Sequence, residues 1–229
     1  MAKLVVAKFG GSAIGADGIS IPLIINRIND LKKHSKVIAV FSAPLTVVDG
    51  QTRSLTDVIL EQGQNAQNGS SVSLNVVESC YEKILEMTNH ENKENCKTLI
   101  NSSLEIAKKA LDEASLKKEF ADEIRSKALA FSGEILMAQV MKFVLMSNGI
   151  ASETVSYEKW PIITDNNIES TNFLASAGFS DQVQDVVNIH ISHLVRADQS
   201  STVLYKIEKA VPNNAAALIG TAVSASAHG

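Results

Sequence analysis

Leu4-Val5-Val6-Ala7-Lys8-Phe9-Gly10-Gly11-Ser12 is a short apolar run with a lysine near its end, opening into two glycines and a serine. Its length and its β-branched residues suit a buried strand. Gly10 and Gly11 free the backbone to turn sharply and to approach whatever lies above the strand end. Ser12 offers a hydroxyl and an N–H, and Lys8 adds a compact positive charge beside them. Together these groups can form an anion cradle at the carboxyl end of a strand, where open α/β sheets bind ligands.

The segment is not a Walker P-loop, because the G-x-x-x-x-G-K-[ST] spacing is absent. It is not a dinucleotide fingerprint, because the third glycine of G-x-G-x-x-G is missing. From the residues alone, a phosphate cradle and a plain strand–turn–helix both remain open.

Outward from this segment, residues 3–9 and 36–42 read as buried strands. Between them, Leu23, Ile24, Ile28 and Leu31 recur at helical spacing within Ile21–Lys33. A strand–helix–strand of this length predicts a right-handed crossover and a parallel sheet. A helix is expected from Thr56 to Glu61, fading into a polar surface loop over Gln62–Ser70. Helical periodicity then runs from Val72 to Met146, with breaks near Asn89–Asn95 and around Ser115, and Gly149 ends it. The charged stretch Ser115–Arg125 reads as a solvated helix face. Thr154-Val155-Ser156 and Pro161-Ile162-Ile163 read as short strands. Val186–Ile191 reads as a strand and Ala215–Ala222 as a helix.

The chain has 229 residues, 45% of them hydrophobic, enough to bury a sizeable core. Its net charge of −4 argues against a nucleic-acid surface. No apolar stretch reads as long enough to span a bilayer, and no signal peptide is apparent. Cys80 and Cys96 are the only cysteines and form no C-x-x-C pair, so both read as small residues on helix faces. The expectation is a soluble, reduced, cytoplasmic protein with no nucleic-acid or membrane partner. His190-x-x-His193 has loose metal-ligand spacing, but a strand would put the two on opposite faces, so no metal site is assigned. Asp165 follows an apolar strand and fits a ligand-side residue or a simple turn aspartate equally well. Glu134 follows Gly133 on an otherwise apolar helix, where a carboxylate is costly to bury without a cationic partner.

Ala7-Lys8-Phe9-Gly10-Gly11-Ser12 resembles the opening motif of the aspartate kinases, within the amino acid kinase family. Further segments fit in the family's order. Val37-Ile38-Ala39-Val40-Phe41-Ser42-Ala43 resembles the second strand and its Ser-Ala turn. Leu55-Thr56-Asp57 resembles the helix start that supplies a substrate-binding threonine. Phe131-Ser132-Gly133-Glu134-Ile135-Leu136 resembles the helix carrying a substrate-binding carboxylate. Trp160-Pro161-Ile162-Ile163-Thr164-Asp165 fits a later strand. The resemblance covers about residues 3–176.

The resemblance implies a three-layer α/β/α domain on a mostly parallel sheet, with the nucleotide lobe incomplete. It implies ATP-dependent phosphorylation of the side-chain carboxylate of L-aspartate, ATP and Mg²⁺ as cofactors, and a homo-oligomer. Phosphoryl transfer needs in-line positioning and neutralised charge more than covalent help. Lys8 would neutralise charge on the transferred group as the catalytic residue, and the N–H groups of Gly10, Gly11 and Ser12 would hold its oxygens. The resemblance gives Glu134 the substrate ammonium, and gives Ser42 and Thr56 its remaining polar edges. Two alternatives stand beside this reading. One is a catalytically incompetent substrate-half protein that only binds or regulates. The other is an amino acid kinase acting on glutamate or acetylglutamate.

After Ser176 the family pattern departs. A Gly-Arg-Gly-Gly-Ser-Asp loop and a Thr-Asp-Val-Asp-Gly segment are expected, but the chain reads Glu208-Lys209-Ala210-Val211-Pro212-Asn213-Asn214. The chain therefore divides into residues 1–176, the substrate- and phosphate-binding part, and residues 177–229, a divergent or aberrant tail. Codon degeneracy allows Ala210-Val211-Pro212 to spell Gly-Gly-Ser one base earlier, so a shifted frame and a diverged lobe both remain open.

Overall fold

Strand β1 (Lys3–Phe9) and strand β2 (Ser35–Phe41) lie side by side and parallel, in register from Lys3 opposite Ser35 to Phe9 opposite Phe41. They belong to a computed structural model that describes residues 3–154, 162–164 and 173–176. Consecutive residues of a strand face opposite sides of the sheet. Val40 and Phe41 are both buried at the end of β2, so both faces of the sheet are covered there. On one face the Phe9 and Phe41 rings stack with centroids 5.4 Å apart. Lys8 stands opposite Val40 on the other face.

The crossover between these strands carries the short helix α1 (Gly11–Ile14) and then α2 (Ile21–Lys32), which packs on β2. The buried stripe of α2 is Ile21, Ile24, Ile25 and Ile28, whereas Leu23 is 70% exposed. The sequence expectation had the helix right but its face rotated, because Leu23 is apolar without being at a core position.

A hairpin follows that the sequence reading did not anticipate. Strands β3 (Leu45–Val48) and β4 (Gln51–Ser54) pair antiparallel around Asp49-Gly50. Both turn residues have positive φ, 50° and 77°, as a two-residue hairpin turn with the right-handed strand twist requires. An Asp-Gly pair between two short runs was the available signal.

Helix α3 runs Leu55–Gln67, with the Ser54 side chain capping it by accepting from the Asp57 N–H at 3.0 Å. The polar stretch from Gln62 is therefore mostly helix, and the expected loop shrinks to Asn68 onward. Burial explains the difference: Leu55, Val58, Ile59, Gly63 and Ala66 form one inward face, so packing overrides a polar composition. Gly63 is required there by contact. A Cβ at this position would stand 2.1–2.3 Å from the Phe120 ring. Gly63→Ala is expected to cost about 1–3 kcal/mol by overpacking, read as a lowered Tm in thermal unfolding.

Helix α4 (Asn75–Leu85) leads to α5 (His90–Lys117), which is capped by Asn89 and closed at Lys118 in the left-handed conformation. The expected break over Asn89–Asn95 is thus a single capping residue followed by helix, and the later break falls at Lys118 rather than Ser115. Leu116 and its charged neighbours are exposed, in keeping with a solvated face. Cys80 and Cys96 are buried free thiols on helix faces, and burial pushes each thiol up to about 12.

Helices α6 (Asp122–Ser132) and α7 (Glu134–Ser147) are nearly continuous and break at Gly133. Helix α7 is buried nearly all round, as the central helix of a core must be. The stretch Glu123–Ser147 has the length and hydropathy of a membrane span, contrary to the sequence expectation, yet 61% of its apolar window is buried inside the protein. Strands β5 (Ile162–Thr164) and β6 (Phe173–Ser176) pair antiparallel. The result is a mixed α/β fold with a parallel strand pair, consistent with the expected class. Strand Val186–Ile191, helix Ala215–Ala222, Asp165, His190, His193 and the Lys209–Asn213 segment lie outside the described residues, as does most of Thr154–Ser156.

Candidate functional site

The parallel strands both end beside one residue, Ala43. Leaving β1, Gly10 caps α1 in an extended conformation (φ −73°, ψ 170°) that any residue can adopt. Neither glycine is there for a sharp turn, as the sequence suggested; at Gly11 close approach of backbone requires glycine, and at Gly10 the neighbour is the movable end of a lysine. A Cβ on Gly10 would stand 2.9 Å from Lys8 Nζ, so the lysine side chain folds back over the turn. A Cβ on Gly11 would stand 2.9 Å from the Ala43 carbonyl oxygen and 3.3 Å from Leu45 Cδ2. Leaving β2, the Ser42 N–H donates to the Phe9 carbonyl at 3.0 Å, which holds the two strand ends together.

The third partner comes from far along the chain. A Cβ on Gly133 would stand 3.2 Å from the Ala43 Cβ and 2.8 Å from the Leu129 carbonyl oxygen. This tight seat brings the first residue of α7, Glu134, against the same turn. The backbone N–H groups of Glu134 itself and of Ala43 favour the ionised form of the Glu134 carboxylate. Burial nonetheless pushes this carboxyl up to about 7, and the two N–H donors offset the effect only in part. The residue keeps partial water access.

Lys8 is half-buried, and desolvation lowers its pKa. Beyond it, the start of α1 leaves the N–H groups of Gly11, Ser12 and Ala13 without intrahelical acceptors. Ser12 is exposed and Ser42 half-buried. Thr56 is half-buried on the first turn of α3, and the Leu55 N–H donates to the Pro44 carbonyl at 3.2 Å, which docks that turn next to Ser42–Pro44. The fold thus gathers Lys8, Gly10, Gly11, Ser42, Thr56 and Glu134 around the Ala43 turn. Among the described residues, no three His, Cys, Asp or Glu side chains gather to hold a metal ion.

A family model of the amino acid kinase family matches residues 3–226. The chain belongs to the amino acid kinase family. This membership covers the gathered residues and also takes in the segment after Ser176. Phosphotransfer to a small acceptor is the family's general chemistry, and a strand-end cradle of N–H groups with a lysine suits it. Comparison with curated proteins finds no match.

Two groups near these residues were not singled out from sequence. Asp17, just beyond α1, accepts from Thr46 Oγ1 at 2.7 Å and pairs with Lys83 Nζ at 2.7 Å. These partners outweigh its burial and hold its carboxyl below the usual range. Tyr81, fully buried on α4, places its hydroxyl 3.1 Å from both the Ser132 and Gly133 carbonyl oxygens. Neither Asp17 nor Tyr81 sits in a recognisable motif. The only sequence signal for Tyr81 was a phenol on the apolar face of a helix.

Proposed function

We propose that this amino acid kinase binds L-aspartate and transfers the γ-phosphoryl group of ATP to its side-chain carboxylate. A carboxylate oxygen forms the new bond to phosphorus, the bond to the β-phosphate oxygen breaks, and ADP leaves. The observation that carries the substrate half is Glu134. Its pKa is governed by burial and backbone donors, and it lines the site without a cation among the groups that shift it. A substrate ammonium would supply that missing charge. The requirement for an ammonium disfavours an N-acetylated amino acid. The Leu55-Thr56-Asp57 helix start and the long helical insertion from Val72 to Glu119 support aspartate over glutamate. Lys8 and the N–H groups of Gly10, Gly11 and Ser12 would hold the transferred group. The described residues offer no carboxylate cluster for Mg²⁺, so no step is assigned to the ion.

An acyl phosphate is trapped by hydroxylamine as a hydroxamate, which gives the test. Purified protein with ATP and Mg²⁺ is expected to form hydroxamate from L-aspartate and not from L-glutamate or N-acetyl-L-glutamate. Product from either of the latter two, and none from L-aspartate, overturns the reading.

A second reading, a chain that binds L-aspartate without turnover, is favoured by one feature. Where the glycine-rich nucleotide loop is expected, the chain has Lys209-Ala210-Val211-Pro212-Asn213. Pro212 lacks an N–H for a phosphate cradle, and Val211 resists positive φ. On this reading, calorimetry detects L-aspartate but no micromolar binding of a non-hydrolysable ATP analogue with Mg²⁺. Micromolar binding of that analogue removes the second reading.

A further inference from the structure

The break between α6 and α7 is held from outside by two side chains, the Ser103 hydroxyl on α5, which donates to the Phe131 carbonyl at 2.7 Å, and the Tyr81 hydroxyl on α4. Helix α6 ends at Ser132, and a helix end leaves its last carbonyls without N–H donors. The Gly133 carbonyl keeps a helical partner, the Met137 N–H at 2.8 Å. The Ser132 hydroxyl turns away to donate to the Ala128 carbonyl at 2.6 Å. The donor that reaches the Ser132 carbonyl is the Tyr81 hydroxyl at 3.1 Å, which shares its one hydrogen with the Gly133 carbonyl at 3.1 Å. Tyr81 is fully buried, so no water replaces this contact if it is lost.

Tyr81 also faces Glu134. The Glu134 charge is one of the causes that raise the tyrosine hydroxyl well above its ordinary range, after burial and Cys80. Two residues further along α4, Lys83 pairs with Asp17 beyond the end of α1, and Cys80 Sγ lies 3.8 Å from the Leu45 carbonyl oxygen. Helix α4 thus touches both halves of the site: the segment after the Gly10-Gly11 turn, and the junction that carries Glu134.

We propose that Tyr81 is a positioning residue: by holding the Ser132 and Gly133 carbonyls it keeps the α6–α7 break in place and seats the Glu134 carboxylate against the Ala43 turn. The inference rests on the reading of Glu134 as the acceptor of the substrate ammonium. A positioning residue must hold its partner within a fraction of an ångström, and loss of one anchoring bond is enough to degrade that. Tyr81→Phe removes the hydroxyl and leaves the ring. The Ser132 carbonyl would be left to seek another donor, the junction would loosen, and water would reach the carboxylate.

The test is NMR of the side-chain carboxyl carbons in glutamate-labelled full chain, with the Glu134 signal assigned by its loss in Glu134→Gln. In Tyr81→Phe the Glu134 titration midpoint is expected to fall towards the ordinary carboxylate range by about half a unit or more. L-Aspartate affinity by calorimetry is expected to weaken roughly tenfold. An unchanged midpoint with unchanged affinity, whatever happens to Tm, makes Tyr81 a packing residue and overturns the proposal. If the wild type binds no L-aspartate, the substrate reading fails, while the titration, which needs no ligand, still decides the role of Tyr81. Should Tyr81→Phe not fold, fluorine NMR of fluorotyrosine-labelled protein carrying Tyr157→Phe and Tyr205→Phe reports Tyr81 alone. Its signal is expected to move with the Glu134 midpoint and to lose that step in Glu134→Gln. A signal that ignores the Glu134 titration overturns the proposal.

Discussion

Lys8→Ala is expected to lower turnover of L-aspartate to its acyl phosphate by about two to three orders of magnitude, with L-aspartate affinity nearly unchanged. Lys8 lies beside the Gly10-Gly11 turn. It is half-buried at the end of β1 and folded over Gly10, with its pKa lowered by desolvation. A cation in such a place is held at a cost unless an anion arrives to meet it. Charge develops on the transferred phosphoryl group in the transition state, so the contact acts on kcat rather than on substrate binding. Gly10→Ala serves as a partner experiment. Its extended backbone tolerates alanine, but the added Cβ would displace Lys8 Nζ from 2.9 Å away. This variant is expected to fold normally and still lose turnover. Hydroxamate formation measures both variants, and wild-type rates in Lys8→Ala would remove the lysine from the chemistry.

The outline of the fold was legible because its signals are local. The β-branched runs of β1 and β2, and the length of chain between them, imply a parallel pair without knowledge of anything distant. Gly133-Glu134 could be flagged because a glutamate on an apolar helix contradicts its surroundings. What local pattern could not supply was contact. The helical state of Gln62–Gln67 depends on a face that packs against other elements, including Phe120. The need for Gly11 to be glycine depends on Ala43, which is neither charged nor unusual in sequence, and Gly133 is pressed by the Leu129 carbonyl as well as by Ala43. Tyr81 acts across a separation of 51 residues from Ser132, and no pattern within α4 reveals its partner. The hairpin at Asp49-Gly50 is different, because its signal was local and present.

Glu134→Gln is expected to do two opposed things: weaken L-aspartate binding and stabilise the free protein. The native carboxyl has a pKa of about 7 against an ordinary value of 4.5. Between these two values the unfolded chain gives up a proton that the folded chain keeps. The unfolded state then binds fewer protons, so stability falls as pH rises from 4.5 to about 7. The loss at neutral pH is on the order of 1–3 kcal/mol. Glutamine keeps the shape and carries no charge to desolvate, so its Tm should exceed that of the wild type above pH 7 and match it in acid. Binding runs the other way. An ammonium prefers the ionised carboxylate, so wild-type affinity for L-aspartate should rise as pH passes through about 7 and then level off, with proton release on binding below that point. In the variant that pH dependence should vanish, and affinity should fall roughly ten- to hundredfold through loss of a charge-assisted bond. Calorimetry across pH, paired with thermal unfolding of the same samples, reads both effects. A glutamate that served only the fold would lose stability on replacement and leave binding alone. A gain in stability with a loss of affinity is the signature of a side chain kept for its ligand at a cost to the fold.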